Sequence, residues 1–290
     1  VDAGTEMVPA DSDLLNTALE GILRLNLHHS TDRFLLLHRS RQWNPQQNKW
    51  MGWERKRGKL HELNRLLRGA IDTSFIVIGG KLPEAFRFVL TLDADTKLPR
   101  DTARRLVGKL AHSLNRPKFD PQSGRAVEGY GVLQPRVTPS LPTGHYGSLF
   151  QRIYSSSRGI DPYVFAVSDV YQDLFDEGSF AGKGIYDIDA FETALAGKIP
   201  ENAMLSHDLF EGVFARAALV TDIEVVEEYP ERYGVAAARQ HRWVRGDWQL
   251  LPWMLAWRST APRGSKGGIP ALGLWKMTDN LRRSLTQIAV

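Results

Sequence analysis

The 290 residues contain no cysteine. That removes disulfides, thiolate metal sites and cysteine nucleophiles, so any metal held here is held by oxygen. The cell compartment stays open on this ground, although a cytosolic face fits. No apolar run approaches the roughly 18 residues that a membrane helix needs, and the N-terminus lacks the basic and apolar regions of a signal peptide. The chain is therefore expected to be soluble. Charge of one sign is not in large excess either: the formal net charge is +4, the basic residues are spread along the chain, and the isoelectric point is near 9.3. Such a balance suits anionic ligands or membrane headgroups and gives no nucleic-acid arm. No internal repeat and no low-complexity tract is present. What the chain does have is 42% apolar and 10% aromatic residues, ample for the core of one large α/β domain or two small ones. It begins on Val1 and stops on Ile288-Ala289-Val290 as a helical segment turns apolar, which reads as an excised domain.

The most informative stretch runs from Phe88 to Pro99, a short apolar run ending in Asp93-Ala94-Asp95. Such a run reads as a buried strand, which puts both carboxylates where the strand leaves its sheet, the place where open α/β sheets bind ligands. Paired carboxylates can hold a divalent ion that keeps positions open for substrate phosphates. The bland alternative is a turn or helix-cap role, common for Asp-x-Asp. Context favours the site: Pro99, then Asp101 as an N-cap, then Ala103, Leu106, Val107, Leu110 and Leu114 at helical spacing.

Elsewhere the pattern predicts a helix over 11–27 with an acidic or serine cap, a buried strand over 33–38, a loop from Trp43 towards Leu60, a helix over 59–67 and a strand over 75–78. Residues 115–129 read as a surface loop, 131–137 as a strand limited to an edge by Pro135, and 149–156 as a helix. A helix over 187–196, a strand over 218–226 and a long helical region over 235–255 follow. Strands alternating with helices predict an α/β fold with a largely parallel sheet and helices on its faces. Five tryptophans fall after position 240, a bias that suits sugar stacking or a membrane interface.

Three elements in order, Asp93-Ala94-Asp95, Asp208 and Arg239-Gln240-His241-Arg242-Trp243, resemble the D-x-D, catalytic Asp and (Q/R)-x-x-R-W signature of processive inverting glycosyltransferases of the GT-A fold. The segments Trp50 to Leu60, Gly131 to Arg136 and Ser206 to Gly212 further resemble the family 84 glycosyltransferase domain of cyclic β-1,2-glucan synthases, over about residues 11–290. The resemblance implies a single GT-A-like domain over 1–290, with a mostly parallel, mixed sheet flanked by helices. It implies a cytoplasmic piece of a large bacterial inner-membrane protein, with membrane helices on both sides and a phosphorylase-like domain further on. A helix stands where GT-A enzymes usually begin with a strand, so one or two opening strands of the pattern are expected to be missing, and with them part of the uridine grip.

By that resemblance the activity is a hexosyltransferase reaction: glucose passes from UDP-glucose to a growing β-1,2-glucan chain with inversion. Asp93 and Asp95 would bind Mg²⁺ or Mn²⁺ together with the donor diphosphate. Asp208 would be the general base, against a structural role as half of a capping box with Glu211. Arg242 would reach the pyrophosphate and Trp243 pack on the acceptor sugar, with Arg239 three residues away on the same helical face. Lys59 would contact phosphate, against a solvent-facing role at a helix start. The glycines Gly178, Gly182 and Gly184 do not form a dinucleotide fingerprint; by resemblance they line the acceptor path. His207 and His241 neighbour the site and are read as packed or solvated.

Two other readings compete. The Asp93-x-Asp95-Thr96 motif also resembles the nucleophile motif of haloacid-dehalogenase-type phosphatases. That reading expects a later Gly-Asp-x-x-x-Asp, and Gly246-Asp247 is followed by Trp248-Gln249-Leu250-Leu251 with no second Asp. A truncated, inactive nucleotide-sugar-binding or interaction domain is the other.

Overall fold

The computed structural model describes residues 2–78, 80, 82, 85–140, 147–155, 169–204, 208–255 and 268–289, with side chains as far as residue 285. The chain forms two compact units, Val1–Phe86 and Arg87–Val290.

The first unit opens with helix α1 (Ala10–His28). No side chain caps it from the N-cap position; instead Asp11, inside the first turn, accepts a bond from the Val8 N–H at 2.8 Å. Strand β1 (Leu36–Arg39) starts later than its apolar run suggested, and it pairs antiparallel with β4 (Phe75–Ile78). Neither strand has a fully buried residue. The expected loop after Trp43 holds a hairpin, β2 (Gln42–Asn44) with β3 (Lys49–Met51), and helix α2 begins early (Arg55–Leu67). A local device makes the hairpin: the Asn44 side chain accepts the Gln47 N–H, Asn48 takes the left-handed conformation, and Trp43 faces Trp50 across the pair.

In the second unit, strands β5 (Phe88–Thr91), β6 (Thr96–Lys97), β9 (Val132–Ser140), β10 (Gly184–Asp187) and β11 (Ala217–Glu228) form one sheet in the order β5-β10-β9-β11-β6. It is a mixed α/β sheet rather than a mostly parallel one: β9 and β11 pair parallel, and the other three ladders are antiparallel. Still, β5, β9 and β11 run the same way, because β10 is antiparallel to both of its neighbours. The β5 strand is at an edge, not central. Pro135 lies inside the sheet rather than on an edge strand. It is tolerated because β10 pairs only with Val132 and Leu133, and because the β11 register breaks just after the Val220–Pro135 pair.

Helix α3 (Thr102–Leu110) turns Leu106 and Leu110 into a core with Leu133, Ile185, Ala218, Val220 and Ile223. Leu114, expected on the same stripe, is past the helix end in a 3₁₀ turn and exposed. The expected polar loop over 115–129 carries a second hairpin, β7 (Lys118–Asp120) and β8 (Arg125–Glu128), closed by Asp120 accepting from the Ser123 N–H and hydroxyl and by Gly124 at positive φ. Helix α4 (Leu149–Tyr154) starts with a complete Ser148–Gln151 capping box, and α5 spans Val170–Phe175. Helix α6 (Ile188–Leu195) is capped by Asp187, and Phe191 stacks on Tyr186 with centroids 4.3 Å apart. Helix α7 (Asp208–Ala215) buries Phe210, Val213 and Phe214. Helices α8 (Tyr233–Gln249), α9 (Leu251–Met254) and α10 (Ala271–Ala289) complete the unit. Among the described residues no helix is long and apolar enough to cross a membrane.

Candidate active site

The link between β5 and β6 is four residues long, yet those strands are on opposite edges of the sheet. It therefore crosses the end of the sheet where β5, β9 and β11 finish, as a turn in which Thr96 N–H donates to Asp93 C=O at 3.0 Å. Both ends of the crossing are pinned. The Thr91 hydroxyl, buried at the end of β5, bonds the Gly182 and Gly184 carbonyls at 3.1 and 3.2 Å. Glu228 N–H, at the end of β11, donates to the Asp95 carbonyl at 2.9 Å. Asp93 and Asp95 thus stand at the carboxyl ends of three co-directional strands, the ligand-binding end of an α/β sheet.

Around them is a chain of ion pairs. Lys183 Nζ is 3.1 Å from Asp93 Oδ2 and 3.3 Å from Glu227 Oε2. Arg239 places Nη2 2.7 Å from Asp95 Oδ2 and Nη1 2.8 Å from Glu227 Oε1. Exposure is graded: the Lys183 and Glu227 side chains are 9% and 10% exposed and Arg239 15%, whereas Asp95 and Asp93 are 30% and 38%. Burial pushes the Lys183 ammonium down, but the charges of Glu227 and Asp93 and the hydrogen bonds to them outweigh it, and its pKa is raised above the ordinary lysine value.

Asp208 opens α7 and reaches the same neighbourhood by a different contact. Gly182, immediately before Lys183, has φ +77°, and a Cβ built on it would be 2.8 Å from both Asp208 carboxylate oxygens. Only glycine leaves that space. Asp208 is half-buried, while Glu211, its capping-box partner in the sequence reading, is 1% exposed inside the core. Of the two, only Asp208 is appreciably exposed.

The sequence candidates separate accordingly. Asp95 and Arg239 are in direct contact, Asp93 is linked to them through Lys183 and Glu227, and Asp208 lies against Gly182, next to Lys183. Arg242, one turn beyond Arg239 on α8, is exposed, and Trp243 is half-buried; neither is part of the ion-pair chain. Lys59 belongs to the first unit, on the exposed side of α2. His207 lies outside the described residues, and His241 is exposed. Two members were missed: Lys183, whose signal is a lysine between Gly182 and Gly184, and Glu227, which carried none beyond its place at the end of an alternating strand.

Among the described residues, no three acidic or histidine side chains converge on one point as a metal cage. What is present is an oxygen-only pair on one turn. That donor set fits a small hard cation such as Mg²⁺ or Mn²⁺, which binds through one or two carboxylates and completes its shell with water and phosphate oxygens.

No family model matches the chain. It is 57% identical, over 291 aligned residues and 99% of its own length, to the cyclic beta-(1,2)-glucan synthase NdvB of Rhizobium meliloti (strain 1021). The match spans 10% of that protein's length. The likeness to cyclic β-1,2-glucan synthases therefore extends along nearly the whole chain, which is a relative of one segment of such a synthase.

Proposed function

We propose that the chain is a GT-A-like, metal-dependent inverting glucosyltransferase domain, which moves glucose from UDP-glucose to a growing β-1,2-glucan. In this reading it works within a longer membrane protein at the cytoplasmic face of the inner membrane. One observation carries the proposal: Asp93, Asp95 and Arg239, named from separate motifs, meet in one ion-pair chain at the carboxyl ends of β5, β9 and β11, with the Asp208 carboxylate against the neighbouring Gly182. The similarity to a glucan synthase supports the same class of reaction.

Asp93 and Asp95 would hold Mg²⁺ or Mn²⁺, which when bound supplies positive charge against the departing diphosphate. Arg239 and Arg242 face the diphosphate, and Trp243 packs on the acceptor sugar. Asp208 takes the proton from the acceptor hydroxyl as that oxygen attacks the anomeric carbon. A single displacement of an α-linked donor leaves a β product, because one attack inverts the centre.

The test on this chain is release of UDP from UDP-glucose, with Mn²⁺ and with EDTA, beside a phosphomonoester. Mn²⁺-dependent UDP release is the expected result. Cleavage of the phosphomonoester alone moves the assignment to a phosphatase, and UDP binding without turnover moves it to a donor-binding domain. In a longer, active version of the protein, Asp208→Asn separates base from cap, since Asn caps helices about as well as Asp. Transfer should fall by roughly 10²–10⁴, with folding and UDP–Mn²⁺ binding retained. Transfer near the parent rate would make Asp208 structural.

A further inference from the structure

We propose that Glu227 is a positioning residue which holds Lys183 and Arg239 as a fixed pair of cations for a nucleoside diphosphate; this rests on the donor-binding reading above. Lys183 precedes β10 and Arg239 is on α8, and the carboxylate that joins them is Glu227. It divides its oxygens between them, Oε1 to Arg239 at 2.8 Å and Oε2 to Lys183 at 3.3 Å. Its own position is fixed at the end of β11, where Glu227 pairs with Thr96 and the next residue bonds the Asp95 carbonyl.

The grading of exposure gives the two ends of each cation's reach different roles. Glu227 is the buried inner contact, and Asp93 and Asp95 are the solvent-side contacts. A diphosphate arriving with its metal ion therefore meets the outer contacts first. Asp93 and Asp95 would hold the ion, and Lys183 and Arg239 would exchange aspartate oxygens for phosphate oxygens without leaving Glu227. Among the described residues the ion pairs set three carboxylates on two cations, which suits entry of a divalent ion together with the anion. Long lysine and arginine side chains lose rotamer freedom when fixed on a ligand, and Glu227 imposes that loss before the ligand comes.

The sign of the effect makes the idea testable. A carboxylate near a phosphate site repels the phosphate, so removing one that has no positioning role leaves diphosphate affinity equal or higher. The experiment is calorimetric titration of the 290-residue chain with UDP, with and without Mn²⁺, for the parent, Glu227→Gln and Glu227→Asp, with circular dichroism to establish folding. The expected result is UDP affinity in Mn²⁺ weakened on the order of tenfold by Glu227→Gln and partly restored by Glu227→Asp. Unchanged or tighter UDP binding by Glu227→Gln overturns the role of Glu227 and leaves the donor reading standing. A parent chain that binds no UDP with Mn²⁺ overturns both. Should Glu227→Gln not fold, Glu227→Asp decides, because it keeps the charge and shortens the reach by one methylene. Weaker UDP binding with Mn²⁺ binding retained then supports the role, and parent-like UDP affinity overturns it.

Discussion

In the first unit, Arg39 Nε meets Glu62 Oε2 at 3.1 Å with the two side chains 7% and 11% exposed. The Arg39 guanidinium also bonds the Trp53 carbonyl, and Glu62 accepts from the Ser74 hydroxyl at 2.8 Å. Among the described residues that pair sets one carboxylate on one cation, both nearly buried. The second unit places Glu227 just as deep, with Arg239 and Lys183 on it, but the cluster holds three carboxylates for two cations and opens outward at Asp93 and Asp95. Depth is the same in the two places, so depth does not mark the site. The mark is a set of ion pairs whose outer carboxylates face solvent at the end of the strands, where an incoming cation and anion can rearrange the pairs.

If the first pair is structural, Glu62→Ala leaves a buried guanidinium without its counter-charge and should cost about 3–5 kcal/mol of stability in chemical denaturation. A cost under about 1 kcal/mol would break the contrast. A second substitution probes the approach of Asp208. Gly182→Ala puts a Cβ at positive φ against the Asp208 carboxylate and should cost about 1–3 kcal/mol. Unchanged stability would mean that Asp208 is not held against that glycine.

At the open end the expected effects divide. Asp95→Ala should change stability by less than about 1 kcal/mol, since the carboxylate is partly exposed and solvent screens its pair with Arg239. Yet Mn²⁺-dependent UDP binding should be lost in calorimetry. A large stability loss with UDP binding intact would make this end structural too.

The smallest effect at neutral pH concerns protonation. Two buried lysines are shifted in opposite directions: Lys276 is lowered to about 8 by burial, only partly offset by Glu177 and Asp169, while Lys183 is raised. For Lys276 the native state releases its proton first, so between about pH 8 and the ordinary lysine value the unfolded chain binds more protons and this group's contribution makes stability rise with pH. For Lys183 the stabilising contribution is fully present below the ordinary lysine value and is lost only as pH rises through the raised native one. Titration of the side-chain carbons by NMR should give a midpoint near 8 for Lys276 and one above the ordinary value for Lys183. A neutral Lys183 at pH 9 would dissolve the ion-pair chain.

The sequence by itself determined the short-range features. The strand, acidic turn and helix around Asp93 form where the apolar run and the Leu106–Leu110 spacing put them. Helix α1 precedes β1 as read, because periodicity and turns act over a few residues. The two missed hairpins are also local, but Asn44 and Asp120 close them with side-chain bonds inside polar segments, so no hydrophobic pattern announced them. Tertiary structure alone decided the rest: that β9 and β11 pair parallel while their other neighbours run antiparallel, that Pro135 fits where β10 has ended, and that Lys183 and Glu227 belong to the site. Asp95 and Arg239 are 144 residues apart in the chain. Their contact depends on where β5, β10, β11 and α8 come to rest, and strand order is set by how faces are buried across the whole unit, which no local stretch of sequence encodes.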